Sequence, residues 1–246
     1  MINLSPPRAL ARFFTGVTWF VKHEPRTLYL TFDDGPVPGV TDWVLDTLAQ
    51  YNAKATFFCL GRNAERYPSL LDRIRREGHT VGNHTYSHLR GYNVSVRDYV
   101  WDVRIANDIL HSSLFRPPYA RFTPAQMRAL RPHFNIVLWS VLSMDYSKWM
   151  HGERCANIVL NNSRGGDVIV FHDSYKAERN LREALPRCLR SFSDQGYEFS
   201  ALRSSLLVPL ESQLLSQTLF PPLSPPDGLI PPATGESLLP GFTVRR

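Results

Sequence analysis

Apolar and polar positions alternate along this chain in two rhythms, one of strands and one of helices. The stretch 27–36 opens as an aliphatic, aromatic and β-branched run, reads as a buried strand, and stops abruptly at Asp33, Asp34 and a Gly-Pro turn. Val40, Val44, Leu45 and Leu48 then recur at helical spacing, with Thr41 as the expected N-cap. A short apolar strand is expected at 55–60. An amphipathic helix follows at 64–77, with Leu70, Leu71 and Ile74 on one face and Gly78 past its end. The same reading predicts strands at 80–82, 135–141, 167–171 and 197–202, and helices at 95–110, 124–130, 154–161 and 180–195.

Strands that lack polar alternation are buried on both faces, which implies a parallel sheet covered by helices. No glycine-rich phosphate loop follows the first strand, so a doubly wound nucleotide fold fits poorly. A (β/α) barrel fits better, because polar residues recur where strands end: Asp33 and Asp34, His84, Arg116, Asp145 and His172. Barrels assemble their sites from those ends. Past residue 205 the character changes. Proline recurs from Pro209 to Pro240 and charges thin out, so 206–246 reads as an extended or disordered tail, with one short amphipathic helix around Leu210, Leu214, Leu215 and Leu219. The aromatic segment 1–24 is too short to span a bilayer and no small-residue cleavage site follows it. It is expected to pack on the domain at 25–205, membrane anchoring being the alternative, and location is open between cytoplasm and cell envelope.

The net charge of +6 suits anionic surroundings, either weak association with an anionic polymer or membrane surface, or simply a solvated basic face. The basic residues are scattered, which argues against nucleic acid as a partner. Cys59, Cys155 and Cys188 form no CxxC and no disulfide framework.

Two adjacent carboxylates at a buried strand end repel one another unless a cation or a hydrogen-bond donor divides their roles. Successive side chains on a strand point opposite ways, so one aspartate can ligate while the other faces substrate. His84 and His88 stand at i and i+4, expected on one face of a helical turn, and this spacing suits a divalent metal. Thr85 occupies the place where a zincin has its glutamate, so the third ligand must come from elsewhere, and Asp33-Asp34 is available. Arg116, beside two prolines, can hold Asp33 ionised or merely cap a helix. His172 follows a buried strand and can be structural or a general acid.

Thr-Phe-Asp-Asp-Gly-Pro at 31–36, His-Thr-Tyr-Ser-His at 84–88, Arg-Pro-Pro-Tyr at 116–119, Trp-Ser-Val-Leu-Ser-Met-Asp at 139–145 and Val-Phe-His at 170–172 occur in this order. Together they resemble the five motifs of the polysaccharide deacetylase family, the NodB-homology domain of carbohydrate esterase family 4, over about 25–203. The resemblance implies a distorted or incomplete (β/α) barrel of seven or eight strands. The implied enzyme is a monomer that removes N-acetyl groups from a glycan such as chitin oligomers or peptidoglycan, using one divalent ion, Zn²⁺ or else Co²⁺. By motif position, Asp33 is the base and Arg116 orients it. His172 is the general acid, tuned by Asp145, and Asp34, His84 and His88 are the ligands. Tyr119 sits where the family offers a backbone N–H to the oxyanion, and Tyr146 and Val170 where it forms the acetyl pocket. Ala120, Leu142 and Tyr146 depart from the common glycine, aspartate and tryptophan, which bears on pocket shape. An O-acetyl esterase, a non-catalytic glycan-binding homologue and a non-haem iron oxygenase with its two-His-one-carboxylate triad are the competing readings.

Overall fold

The computed structural model describes residues 16–207. The expected helix around Leu210 to Leu219, the tail and the first residues of the 1–24 segment lie outside the described residues. Nine strands form one sheet: β1 Val17–Thr18, β2 Thr27–Asp33, β3 Thr56–Cys59, β4 Thr80–Asn83, β5 Leu114–Phe115, β6 Asn135–Val137, β7 Val141–Leu142, β8 Val168–His172 and β9 Glu198–Phe199. The order is β1-β6-β5-β4-β3-β2-β8-β7, with β9 beside the start of β2, and every strand pair is parallel. Beyond β1, an antiparallel bridge between Phe20 and Asp167 and the Val21 N–H to Gly166 carbonyl bond (2.8 Å) stitch the β1 side toward β8. The result is the expected distorted (β/α) barrel, curled rather than regularly closed. Val17 and Thr18, from the segment expected to pack on the domain, form its edge strand.

The helices are α1 Val40–Ala49, α2 Gly61–Arg66, α3 Pro68–Arg76, α4 Val96–Leu110, α5 Pro124–Leu130, α6 Gly152–Asn162 and α7 Glu178–Asp194. Side chains alternate across a strand, and β2 uses both faces. Leu28, Leu30 and Phe32 join the large core formed with α1, α3, α6 and α7, whereas Tyr29 joins Phe58, Leu114, Val137 and Val168 inside the curl. Thr31 and Asp33 share the face of Tyr29, so the inward row becomes polar toward its carboxyl end.

Three local expectations are corrected. The helix expected at 64–77 is two helices, because Pro68 has no N–H to continue the first and opens the second at its N1 position. Thr41 is not the N-cap of α1. Gly39, at φ 78°, precedes the helix, while the Thr41 hydroxyl accepts from the Val37 N–H (2.7 Å) and donates to Asp173 (2.6 Å). The strand expected at 135–141 changes partners midway. The Leu138 N–H bonds the Thr18 carbonyl and the Ser140 N–H bonds the Val168 carbonyl, which separates β6 from β7. That switch leaves the Val137 and Leu138 carbonyls for a side chain from the barrel interior.

Candidate active site

That side chain is Arg116, which follows β5 and is fully buried. Its Nη1 donates to Asp33 Oδ1 and to Thr31 Oγ1, both at 2.7 Å. Nε donates to the Val137 carbonyl (3.2 Å) and Nη2 to the Leu138 carbonyl (3.0 Å). Its guanidinium lies over the Phe58 ring, 4.0 Å from the centroid. Burial works against the guanidinium's charge, and the Asp33 carboxylate and hydrogen bond work for it. A buried ion pair is tenable only when its remaining donors are satisfied, and here carbonyls and Thr31 supply them. The Thr31 hydroxyl in turn donates a hydrogen bond to the Ile169 carbonyl at 2.9 Å.

Asp34 leaves the strand in a left-handed conformation (φ 81°), which aspartate tolerates better than most residues. Asn63 donates to its carbonyl at 2.8 Å. The turn carries the Asp34 carboxylate to the opposite side from Arg116, toward two imidazoles. Asp34 Oδ1 lies 3.2 Å from His88 Nε2 and 3.8 Å from His84 Nε2. His84 and His88 do not share a helical turn as expected. Thr85 and His88 have φ of 68° and 66°, and the segment is a loop. Side-chain acceptors take the N–H groups that a helix would bond internally. Asn83 Oδ1 accepts from Thr85, and the Asp102 carboxylate accepts from Tyr86, Ser87 and the Ser87 hydroxyl.

The ligand atoms of Asp34, His84 and His88 lie within 4.8 Å of one another. His84 Nδ1 donates to the Arg116 carbonyl at 2.7 Å, which fixes the tautomer and leaves the Nε2 lone pair facing Asp34. Burial, with smaller opposing effects of the nearby carboxylates, lowers the His84 pKa to about 4, so the ring is neutral at pH 7. His88 Nδ1 contacts the Tyr119 hydroxyl at 3.1 Å. For Asp34, burial would raise the carboxyl, but His88 beside it and nearby His172 and His84 outweigh burial and hold it well below the usual carboxylate range. Its Oδ1 is buried and has no hydrogen bond. Three lone-pair donors that converge on one point, one of them an otherwise unbonded carboxylate oxygen, fit a divalent cation. In a tetrahedral zinc site with bonds near 2.0–2.1 Å, ligand atoms stand roughly 3.4 Å apart.

Across the site, His172 ends β8. Its Nδ1 is 2.7 Å from Asp145 Oδ1, and its backbone N–H donates to Asp145 Oδ2 at 2.8 Å. Burial would lower the His172 pKa, but buried Asp145, with Asp34 and Asp33 adding to it, pushes it up to about 9. With Nδ1 occupied, Nε2 is free to face the groove. Tyr146 packs edge-on against the His172 ring, centroids 4.8 Å apart. A groove of about 660 Å³ runs over Asp33, Asp34, His84, His88 and His172, and Tyr119, Tyr146, Val170, Leu142 and Trp139 line it too.

All ten residues singled out from the sequence thus meet at one end of the barrel. Several supporting residues escaped that reading. Asn180, on α7, donates to the Asp145 carbonyl at 2.8 Å. Thr31 braces Arg116, and Asp173 accepts from the Gly35 N–H (3.0 Å) and Thr41, tying the loop after β2 to β8. Arg90, Arg121 and Lys176 also line the groove. Arg121 adjoins the Arg-Pro-Pro-Tyr motif and could have been suspected from that position. Nothing local marks Asn180.

The polysaccharide deacetylase family model matches residues 20–133. A peptidoglycan-N-acetylglucosamine deacetylase of Bacillus cereus is 36% identical over 197 residues, covering 74% of this chain and 89% of that protein. A chitooligosaccharide deacetylase of Azorhizobium caulinodans is 33% identical over 159 residues, covering 60% of this chain and 73% of that protein. Among solved structures, the Bc1960 peptidoglycan N-acetylglucosamine deacetylase, in complex with a hydroxamate (4-naphthalen-1-yl-N-oxidanyl-benzamide), superposes with a TM-score of 0.72 at 33% identity. That match covers 82% of this chain and 97% of the other. By sequence and by fold, this chain belongs to the polysaccharide deacetylase family.

Proposed function

We propose that this protein is a metal-dependent hydrolase that removes N-acetyl groups from amino-sugar residues of a polysaccharide, releasing acetate, with 25–205 as its catalytic domain. One observation carries the reading. Asp33, bonded from behind by Arg116, and His172, bonded by Asp145, line one groove together with the Asp34, His84 and His88 cluster. Zinc is the ion this nitrogen-rich ligand set suits best, Co²⁺ being a substitute of similar size and ligand preference.

A divalent ion held by Asp34, His84 and His88 would polarise the acetamide carbonyl and make an attacking water more acidic. Asp33 is the base. Arg116 occupies its Oδ1, and its Oδ2 is left to take the proton from the attacking water. As negative charge grows on the former carbonyl oxygen, the Tyr119 backbone N–H, assigned by its place in the Arg-Pro-Pro-Tyr motif, donates to it. His172 Nε2 then protonates the departing nitrogen as the C–N bond breaks, and Asp145 at Nδ1 stabilises the imidazolium before transfer. Tyr146, Val170 and Leu142 form the wall against which the acetyl methyl rests, which excludes water from that side. Acetate and a free amine leave.

The test is acetate release from N-acetylglucosamine oligomers and, in parallel, from acetyl-xylan. The reading expects release from the amide substrate, loss on chelation, and recovery on adding Zn²⁺ or Co²⁺. Release from acetyl-xylan alone would assign the site to esters, and release unaffected by chelation would remove the ion from the account.

A further inference from the structure

Asp33 and Asp34 are held in different ways. Asp33 is fixed through its carboxylate, which Arg116 bonds. Asp34 Oδ1 has no hydrogen bond, so the place of that carboxylate depends on the backbone beneath it. That backbone stands at φ 81°, a left-handed conformation that a residue with a side chain keeps only where its surroundings impose it. The surroundings do so from several sides. Before the Asp34 Cα, the Asp33 carbonyl accepts from the Asp173 N–H at 3.1 Å. After it, the Gly35 N–H donates to Asp173 Oδ1 at 3.0 Å. The Asp34 carbonyl accepts from Asn63 at 2.8 Å, and the Gly35 carbonyl from the Leu60 N–H at 2.9 Å. Of these partners, Asp173 is the one that bonds on both sides of Asp34.

Asp173 follows the general acid His172 directly but lies behind the groove, fully buried. Its Oδ2 is anchored by the Thr41 hydroxyl at 2.6 Å, and that hydroxyl accepts from the Val37 N–H at 2.7 Å. The carboxylate approaches the loop so closely that a Cβ at residue 35 would collide with it, so glycine is required there. Burying a carboxylate is costly unless donors surround it, and here every donor it takes comes from the segment that carries Asp34 or from the helix that follows. We infer that Asp173 is a positioning residue for the metal cluster: braced by Thr41, it holds the backbone on both sides of Asp34 in the conformation that aims the Asp34 carboxylate at His84 and His88. This rests on the reading of Asp34, His84 and His88 as the ligands of an ion, and it adds to them a residue that touches neither the ion's site nor the substrate groove. Asp173 thus does for Asp34, through the backbone, what Arg116 does for Asp33 through the side chain.

The experiment measures zinc affinity of the metal-stripped full chain by competition with a chelating indicator, beside thermal unfolding of the metal-free form and acetate release. Asp173→Ala is expected to weaken zinc binding about 10–100-fold, the range in which residues that orient a ligand act. Asp173→Asn leaves an oxygen for the Gly35 N–H and is expected to recover most of that loss. Thr41→Val removes the brace and should weaken binding in the same direction by a smaller factor, with Thr41→Ser restoring it. A merely structural role would lower the unfolding temperature and leave zinc affinity alone. Unchanged zinc affinity in folded Asp173→Ala and Thr41→Val, whatever their unfolding temperatures, therefore overturns this inference. It leaves the deacetylase reading standing as long as the wild type binds zinc and releases acetate. A wild type that does neither overturns that reading, and this inference with it. If Asp173→Ala does not fold, Thr41→Val decides by the same criterion, since it leaves Asp173 in place.

Discussion

Arg116 and Arg73 both gather several partners, yet they sit in opposite surroundings. Arg73, on α3, reaches Asp42, Asp46 and Glu77 on the outside of the barrel with its side chain about a quarter exposed. Arg116 has no exposed surface and bonds one carboxylate, one hydroxyl and two carbonyls. At the surface, water replaces a lost partner and the pair is worth little. In the interior nothing replaces it, so a comparable set of contacts becomes a structural commitment. Buried charge here serves geometry: it fixes where Asp33 stands relative to the ligand cluster.

The sharpest way to break the contrast is Arg116→Ala. It leaves Asp33 buried without its cation and should cost about 3–5 kcal/mol in denaturant unfolding, with activity lost. A loss below 1 kcal/mol would mean that the interior pair is solvated like the exterior one. Thr31→Val removes the hydroxyl that links Arg116 to the Ile169 carbonyl. It should cost about 1–3 kcal/mol, because one arginine donor stays buried and unpaired.

Asp145→Asn tests the other buried pair through pH. The His172 pKa is raised to about 9, above its ordinary 6.5, so the protonated acid persists until pH rises through about 9. The same sign holds for stability. The pair's contribution is fully present below about 6.5 and is lost as pH climbs to about 9. Wild-type kcat should therefore fall on the alkaline side near 9. In Asp145→Asn, where burial acts without the main opposing charge, that limb should move to markedly lower pH. An unmoved limb would detach it from His172. The smallest effect belongs to Arg73→Ala, expected to cost about 1 kcal/mol or less, chiefly at low salt.

The same division explains what was legible in the chain. The alternation of strands and helices, and the carboxyl-end clustering of Asp33, Asp34, His84, Arg116, Asp145 and His172, could be read because period and strand ends are local features. Surface pairs such as Arg73 with Glu77 follow from i,i+4 spacing. The interior supports could not be read so. Arg116 meets the Val137 and Leu138 carbonyls only because β6 ends there and the chain changes partners, which depends on Thr18 and Val168 far away in sequence. The helical turn expected at 84–88 failed for a related reason. Asp102, on α4, captures the N–H groups of Tyr86 and Ser87, and this contact across 16 residues has no periodic signature. Asn180 is equally silent, since it acts on a backbone carbonyl 35 positions away.

The division of labour between adjacent aspartates is the centre of this account, and Asp33→Asn compared with Asp34→Asn tests it most directly. Acetate release and bound zinc are measured on the same purified samples. The account predicts that Asp33→Asn loses about 10²–10⁴-fold in kcat while still holding one ion per chain, and that Asp34→Asn loses the ion as well as activity. Full turnover by Asp33→Asn, or zinc bound as tightly by Asp34→Asn as by the wild type, would contradict it.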